Sequence, residues 1–335
     1  MAIKLGNNNL NKAYLGNTEI KKMYLGNDIV FDNSVRPFII EVNLPSGVGS
    51  TSSFQFTGAV GDYDVVAKQS GSIVQTFNNL SDESTINLSN GGGVYILEVK
   101  PKASNGFNRI EFNNSGDKDK IIDVKQFGDV VWSTFASAFR GCTNIKLNSS
   151  DAPNLSNVTS MREMFRDAVS FDQNINSWDV SSVTDISGIF LNAKLYNQPL
   201  NNWDVSSVTN MRDAFAQTEE FNQSLNDWDV SSVTNINSMF RITVAFNQPL
   251  NNWDVSNVTS MIKVFEGADL FNQPLNNWNV SLVNNMQQMF GNAESFNQNL
   301  SGWCVSIITQ EPPSFDDGAD DWVLPNSRPI WGTCP

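Results

Sequence analysis

The sequence predicts a mixed α+β protein: a solenoid of about seven 25-residue coils, preceded by a small β-sandwich and a short N-terminal β-repeat segment. Three observations predict it. Trp178, Trp203, Trp228, Trp253, Trp278 and Trp303 stand 25 residues apart without a slip, behind lead-ins such as Phe221-Asn222-Gln223-Ser224-Leu225-Asn226-Asp227. Residues 35–113 alternate apolar and polar side chains at strand spacing. Residues 1–34 carry a shorter repeat, Leu5-Gly6-Asn7, Leu15-Gly16-Asn17 and Leu25-Gly26-Asn27. A fixed period of 25 residues implies coils that bury their apolar faces only against neighbours. Such arrays present long regular surfaces, which tilts the reading toward binding and away from catalysis.

In order along the chain, residues 1–34 read as short strands closed by Gly-Asn turns, with Tyr14 and Tyr24 ahead of two of them. A piece this small cannot bury enough surface alone. It is expected to dock to a larger assembly, to self-trimerise or to pack on the next domain; the other reading is a disordered leader. In residues 35–113, Phe38-Ile39-Ile40-Glu41-Val42, Ser53-Phe54-Gln55-Phe56, Tyr63-Asp64-Val65-Val66-Ala67 and Val94-Tyr95-Ile96-Leu97-Glu98-Val99 read as strands of a sandwich that serves as a spacer. Pro45-Ser46-Gly47, Gly91-Gly92-Gly93 and Asn105-Gly106 read as its turns.

The solenoid is assigned to residues 114–309 and a C-terminal cap to 310–335. Ile121-Ile122-Asp123-Val124 reads as its first strand and Trp132 to Cys142 as its first helical turn. Phe135 and Phe139 match Met161 and Phe165 one coil later, at a spacing of 26 that marks an irregular first coil. Ser160, Asp185, Asn210, Asn235, Ser260 and Asn285 are suited to cap helices, since a short side-chain oxygen accepts from the first turn's free N–H groups. The spacing predicts a brief helix at Met211-Arg212-Asp213-Ala214-Phe215 and its equivalents, with Met and Phe on one face. Trp-Asp-Val-Ser then alternates like a strand, Trp and Val inward, Asp and Ser outward. Equivalent residues should form ladders of Trp, of Phe (broken once by Tyr196) and of Gln at Gln173, Gln198, Gln223, Gln248, Gln273 and Gln298. The Asn and Gln ladders are suited to satisfying backbone groups in the turns.

The chain has 335 residues and a net charge of −14. Residues 151–309 hold 6 Lys and Arg against 16 Asp and Glu, so nucleic acid and basic-patch membrane association are disfavoured partners. No apolar run reaches the roughly 18 residues of a membrane span. The start, Met1-Ala2-Ile3-Lys4-Leu5-Gly6-Asn7, lacks the apolar core of a signal peptide, so export is expected by a trimmed signal or by another route such as lysis of an infected cell. Of three cysteines, Cys304 replaces the Asp after the last repeat Trp and Cys334 is penultimate. A bridge between them would tie the tail to the last coil, stabilise by about 3–4 kcal/mol in the chain-entropy model and imply an oxidising location. The other reading is two free thiols. Cys142 reads as a small buried hydrophobe.

Histidine is absent, which removes His-based triads, His general bases and most zinc or iron sites. No phosphate-binding or dinucleotide fingerprint appears, and no cofactor is expected. Carboxylates recur with the repeat and are not set apart as a pair, so the chain is not read as an enzyme. One constellation is a candidate cation site: the row Asp179, Asp204, Asp229 and Asp254, continued by Asn279. At coil spacing these carboxylates would repel by about 1 kcal/mol each in water, which bound Ca²⁺ or a cationic receptor group would offset. The plainer reading is that each Asp accepts hydrogen bonds within its own turn. The Trp row reads as core, not as a sugar platform. Receptor contacts are expected from the variable positions Arg162, Glu163, Arg212, Glu219, Glu220, Arg241 and Glu266.

The repeat Phe-Asn-Gln-x-Leu-x-x-Trp-Asp-Val-Ser-x-Val-Thr-x-Met-x-x-Met-Phe resembles that of BspA-like leucine-rich-repeat surface proteins. Asn113 to Lys120 is similar to the approach to that array, and Trp303-Cys304-Val305 through Trp331-Gly332-Thr333-Cys334-Pro335 to its C-terminal cap. The resemblance covers roughly residues 110–335. It implies a right-handed, leucine-rich-repeat-like solenoid at a surface, used in adhesion. Residues 1–34 resemble N-terminal segments of structural proteins of tailed bacteriophages. The combined expectation is a virion-associated receptor-binding protein, a phage tail-fibre or fibre-like component at the virion surface. Its partners would be other virion proteins through residues 1–34, in a possible homotrimer, and a host glycan or protein through the solenoid. A secreted bacterial adhesin and a capsid-mounted decoration protein are the alternatives.

Overall fold

The computed structural model describes residues 13–15, 18–20, 22–25 and 28–32 by their backbone, and residues 35–46, 52–102, 106–323 and 327–335 in full. Strands β1 (Ala13–Leu15) and β2 (Thr18–Ile20) pair antiparallel, as do β3 (Lys22–Leu25) and β4 (Asp28–Asp32). The expected turns at Gly6-Asn7, Gly16-Asn17 and Gly26-Asn27 lie outside the described residues.

Five strands form one antiparallel sheet: β5 (Phe38–Leu44), β7 (Asp62–Gln69), β8 (Ser72–Ser81), β10 (Gly93–Pro101) and β11 (Ile121–Gln126), in the order β11-β5-β10-β7-β8. Period-two alternation drives it. Phe38, Ile40, Val42 and Leu44 are buried on one face, beside Tyr95, Leu97 and Val99 of β10 and Tyr63, Val65 and Ala67 of β7. A two-stranded pair, β6 (Ser53–Gln55) with β9 (Thr85–Asn87), adds buried Phe54 and Ile86 to that core. The aromatic core continues into the repeats: Phe38 meets Trp132 edge-on at 5.2 Å, and Phe127 meets Trp178 at 5.5 Å.

Strand β11 belongs to both parts. It pairs antiparallel with β5 and bridges in parallel from Asp123 to Lys146. Asp151 fixes the junction by accepting from the N–H groups of Phe127 (2.8 Å) and Gly128 (3.0 Å) and pairing with Arg36. Gly128 has φ +71°, and a Cβ there would collide with the carbonyls of Arg36 and Pro37, so only glycine fits.

The repeats depart from the expected fold. Among the described residues the only helical element is a single 3₁₀ turn, Lys118–Lys120, and the 25-residue repeats contain no helix and no strand. The mixed α+β, leucine-rich-repeat-like solenoid is therefore corrected: the regular secondary structure is almost all β, and the repeats are layers of consecutive turns. Backbone geometry gives the reason. Two positions per layer are left-handed, including Glu163 (φ 54°) and Asp167 (φ 61°), Asp213 (φ 54°) and Gln217 (φ 59°), and Lys263 (φ 58°) with Gly267. A left-handed residue inside Met-x-x-x-Phe interrupts any helix. The N–H groups then divide. Those of Met164, Arg166 and Ala168 close turns onto the carbonyls of Met161, Glu163 and Phe165. Those of Met161, Glu163, Phe165 and Asp167 reach the next layer, to the carbonyls of Asp185, Ser187, Ile189 and Leu191. Stacking layers satisfies the backbone that a helix would satisfy internally. The helical turn expected from Trp132 to Cys142 is replaced in the same way, with Ser137 and Gly141 left-handed.

Five of the six expected helix caps survive as turn caps; the exception is Ser260, whose hydroxyl donates to Asn237 Oδ1 while the Ile262 N–H also turns to Asn237. Asp185 Oδ1 accepts from Ser187 N–H (2.9 Å), Asn210 from Arg212 (3.2 Å) and Asn285 from Gln287 (2.9 Å). Successive layers meet there by single parallel bridges, Ser160 to Asp185 to Asn210 to Asn235, in place of the strand expected near each Trp.

Candidate functional site

Each layer has an interior and an outward face, and the predicted residues divide between them. The Trp residues are interior. Trp178, Trp203, Trp228, Trp253, Trp278 and Trp303 are all buried. From Trp203 on, each indole Nε1–H donates to the carbonyl of the residue 28 positions earlier: Trp203 to Ile175 (3.1 Å), Trp228 to Leu200 (3.0 Å), Trp253 to Leu225 (2.8 Å), Trp278 to Leu250 (2.9 Å) and Trp303 to Leu275 (3.0 Å). Rings of adjacent layers stack nearly parallel, Trp203 on Trp228 at 6.4 Å and Trp253 on Trp278 at 6.3 Å. Phe165, Phe190, Phe215, Phe240, Phe265 and Phe290 form a second stacked column, with centroids 5.6–6.0 Å apart.

The Asp row is exposed and occupied by its own turns. Asp179 Oδ1 accepts from both the N–H (3.2 Å) and the hydroxyl (2.6 Å) of Ser181. Asp204 does so from Ser206, Asp229 from Ser231 and Asn279 from Ser281, while Asp254 accepts from the N–H of Ser256 at 3.0 Å. The serine hydroxyl and then the serine N–H hold the carboxyls of Asp179, Asp229 and Asp254 below the ordinary range. Among the described residues no three His, Cys, Asp or Glu side chains are grouped to hold a metal ion. Beside this row runs an exposed threonine column. Thr184 Oγ1 donates to Thr159 O (3.1 Å), Thr209 to Thr184 O (3.2 Å) and Thr234 to Thr209 O (3.2 Å). The outward face is thus a polar pattern of Asp, Ser and Thr repeated once per layer.

The variable charged positions are less free than their sequence variation implies. Glu163 is half-buried between Arg140 (2.7 Å) and Arg166 (2.9 Å), and Glu219 pairs with Lys194 at 2.7 Å. Glu266 takes Lys263 at 3.1 Å, with Arg241 at 3.9 Å. Arg162 pairs with Glu163 at 3.6 Å and Arg212 with Asp213 at 3.0 Å while their side chains stay 60% and 62% exposed, and Glu220 is exposed as well.

A cleft of about 570 Å³ between β11 and the first two layers was not foreseen. Its floor is an ion-pair chain: Lys125 bridges Glu41 (2.7 Å) and Asp123 (2.5 Å), and Asp123 also accepts from the N–H and side-chain amide of Asn148. Asn144, Lys146 and Gln173 line its walls. The signal in the sequence was the 26-residue spacing of the first coil, together with Lys146 standing where later layers carry Asp or Asn.

At the far end Cys304 and Cys334 are disulfide-bonded. The tail closes the last layer through Leu300 N–H to Ser327 O (2.7 Å) and Val305 N–H to Thr333 O (2.9 Å). Arg328 lies over the Trp322 ring at 4.5 Å and pairs with Asp316. Cys142 is buried and free, and burial pushes its thiol pKa up. Among the described residues no helix is long and apolar enough to cross a membrane.

No curated protein and no solved structure matches this chain. The profile of one family, described as "Mycoplasma protein of unknown function, DUF285", matches twice, over residues 133–241 and 214–320. The double match reflects the repeat, and together the two stretches cover more than half of the chain, so it belongs to this repeat family, which BspA-like proteins also carry.

Proposed function

We propose that this is an adhesion protein that recognises a host-cell surface through its stacked layers, carried on a phage particle as a tail-fibre or fibre-like component. The observation that carries the reading is the outward face. Ser and Thr recur there once per layer, from Thr159 to Thr259, with Asp in the four layers from Asp179 to Asp254, on an interior locked by stacked Trp and Phe columns. A pattern repeated over several layers multiplies weak contacts to a repetitive surface. The acidic balance disfavours nucleic acid, and the disulfide suits an oxidising, extracellular location. The virion placement rests on the resemblance of residues 1–34 to phage structural proteins, with docking to other virion proteins and trimerisation assigned to that segment. A secreted bacterial adhesin is the second reading, favoured by the family match, whose description names a bacterial genus.

Two measurements test this. Purified protein should bind host cells, and absence of binding rejects adhesion. Quantitative mass spectrometry of purified particles should find the protein at low copy in multiples of three or six. High copy points to capsid decoration, and absence from particles with presence on bacterial surfaces rejects the virion placement.

A further inference from the structure

A ladder of amide side chains runs up the stack, and it lacks one rung. Asp172 Oδ1 accepts from Asn197 N–H (3.0 Å) and Gln198 Nε2 (2.9 Å). Asn197 does the same for Asn222 and Gln223, Asn222 for Asn247 and Gln248, Asn247 for Asn272 and Gln273, and Asn272 for Asn297 and Gln298. At the other end Asp123 accepts the N–H (3.0 Å) and side-chain amide (2.8 Å) of Asn148. Between these series the first layer presents Lys146 and Leu147, and neither side chain offers an acceptor. Among the described residues the N–H of Asp172 therefore meets no protein acceptor. Gln173 Nε2 turns back to the carbonyl of Asp172 at 3.3 Å.

The missing rung adjoins the cleft lined by Lys146 and Gln173. Lys146 is exposed and forms no ion pair among the described residues, although the chain carries a net charge of −14. The Lys146 ammonium and the second N–H of the Gln173 amide are donors on the cleft, and the Asp172 N–H adjoins it. In every later layer the acceptor at this rung is a carboxamide or carboxylate oxygen. The cleft volume falls within the range of small-molecule sites, about 300–1,000 Å³.

We infer that this cleft binds a saccharide bearing an acetamido or carboxylate group, whose sp² oxygen supplies the missing rung. An acetamido group is chemically the side chain of asparagine with a methyl end. A carboxylate adds a charge-assisted contact with Lys146. Asn144, Asn148 and Ser170, also on the cleft, face the sugar hydroxyls. The assignment of a surface saccharide as the source rests on the adhesion reading; the donor arrangement does not.

The test is calorimetric titration of the full chain with di-N-acetylchitobiose, sialyllactose and, as a control without either group, cellobiose. Both substituted sugars should bind at least tenfold more tightly than cellobiose. Lys146→Asn places a carboxamide at the ladder position and fills the rung from within. It should weaken both ligands at least tenfold while leaving the melting temperature unchanged or higher. Gln173→Ala should weaken both by a similar factor, whereas Lys146→Met should weaken sialyllactose more than di-N-acetylchitobiose. Failure of both substituted sugars to bind, or unchanged affinity in Lys146→Asn and Gln173→Ala, overturns the inference. Equal binding of host cells by wild type and Lys146→Asn rejects the cleft as the receptor site and leaves adhesion standing. Sugar binding without cell binding rejects adhesion and leaves the cleft.

Discussion

Two residues carry costs that the repeat around them does not. Tyr196 replaces Phe in a stacked column, between Phe171 (5.7 Å) and Phe221 (6.2 Å), and its hydroxyl is buried with no hydrogen-bond partner. Burial pushes its pKa well above the usual tyrosine range. Tyr196→Phe should stabilise the protein by about 1 kcal/mol, seen as a raised urea midpoint with an unchanged slope, since an unsatisfied buried hydroxyl costs about 1–3 kcal/mol. Ile242 is left-handed (φ 56°) where equivalent layers place Asp167, Asn192, Gln217 and Gly267. A β-branched side chain is strained there, so Ile242→Asn should gain about 1 kcal/mol. A loss of stability in Ile242→Asn would show that its side-chain packing outweighs the strain. The break at Tyr196 was visible as a substitution in a pattern. The strain at Ile242 is not, because it lies two residues past the Met-x-x-x-Phe segment, among positions that vary from layer to layer and carry no backbone signal.

The columns are the elements of this protein, and each rung has a separable cost. Asn222→Ala removes the acceptor for Asn247 N–H and Gln248 Nε2. Both groups are partly accessible to water, so the expected loss is about 1–2 kcal/mol, with faster hydrogen exchange confined to the two adjoining layers. The Asp column titrates. Its carboxyls at Asp179, Asp229 and Asp254 are held below their ordinary value by serine hydrogen bonds, so the folded state favours the ionised form. That contribution is fully present above the unfolded carboxylate pKa of about 3.9 and fades as pH falls through the lower folded values. Urea midpoints should fall below about pH 4, and Asp229→Asn should flatten part of that slope; an unchanged slope would mean the serine contacts carry no stability. The Trp and Phe columns and the capping oxygens were legible in the sequence because each is a residue type at a fixed interval. The Asn column was anticipated only as a general way of satisfying turns. Its missing rung was hidden, since the extra residue of the first coil leaves two alignments open, at Lys146 and at Leu147.

At the scale of the whole molecule, stability is carried by contacts between neighbouring layers, so the ends govern how it opens. The first layer is anchored by β11 within the sheet, and the last by the tail bonded through Cys304 and Cys334. Reduction, or Cys304→Ser with Cys334→Ser, should cost about 3 kcal/mol. Exchange protection should be lost first in the layers nearest Trp303 and last near Trp178, and uniform loss would argue against layer-by-layer opening.

The 25-residue register, the burial of every repeat Trp and the outward Asp and Ser are legible in the sequence, and the Cys304–Cys334 bond is one of the two readings it offers. These follow from periodicity, side-chain polarity and the placement of the cysteines. That Met-x-x-x-Phe forms stacked turns is set by contacts between layers. A helix and a left-handed turn bury the same Met and Phe, and the choice lies with the N–H groups of residues such as Glu163 and Phe165. Their acceptors, Ser187 and Ile189, stand one full layer away in the sequence. The placement of β11 in two neighbourhoods and the cleft beside Lys146 have the same origin, since both arise from contacts between segments that carry no shared local pattern.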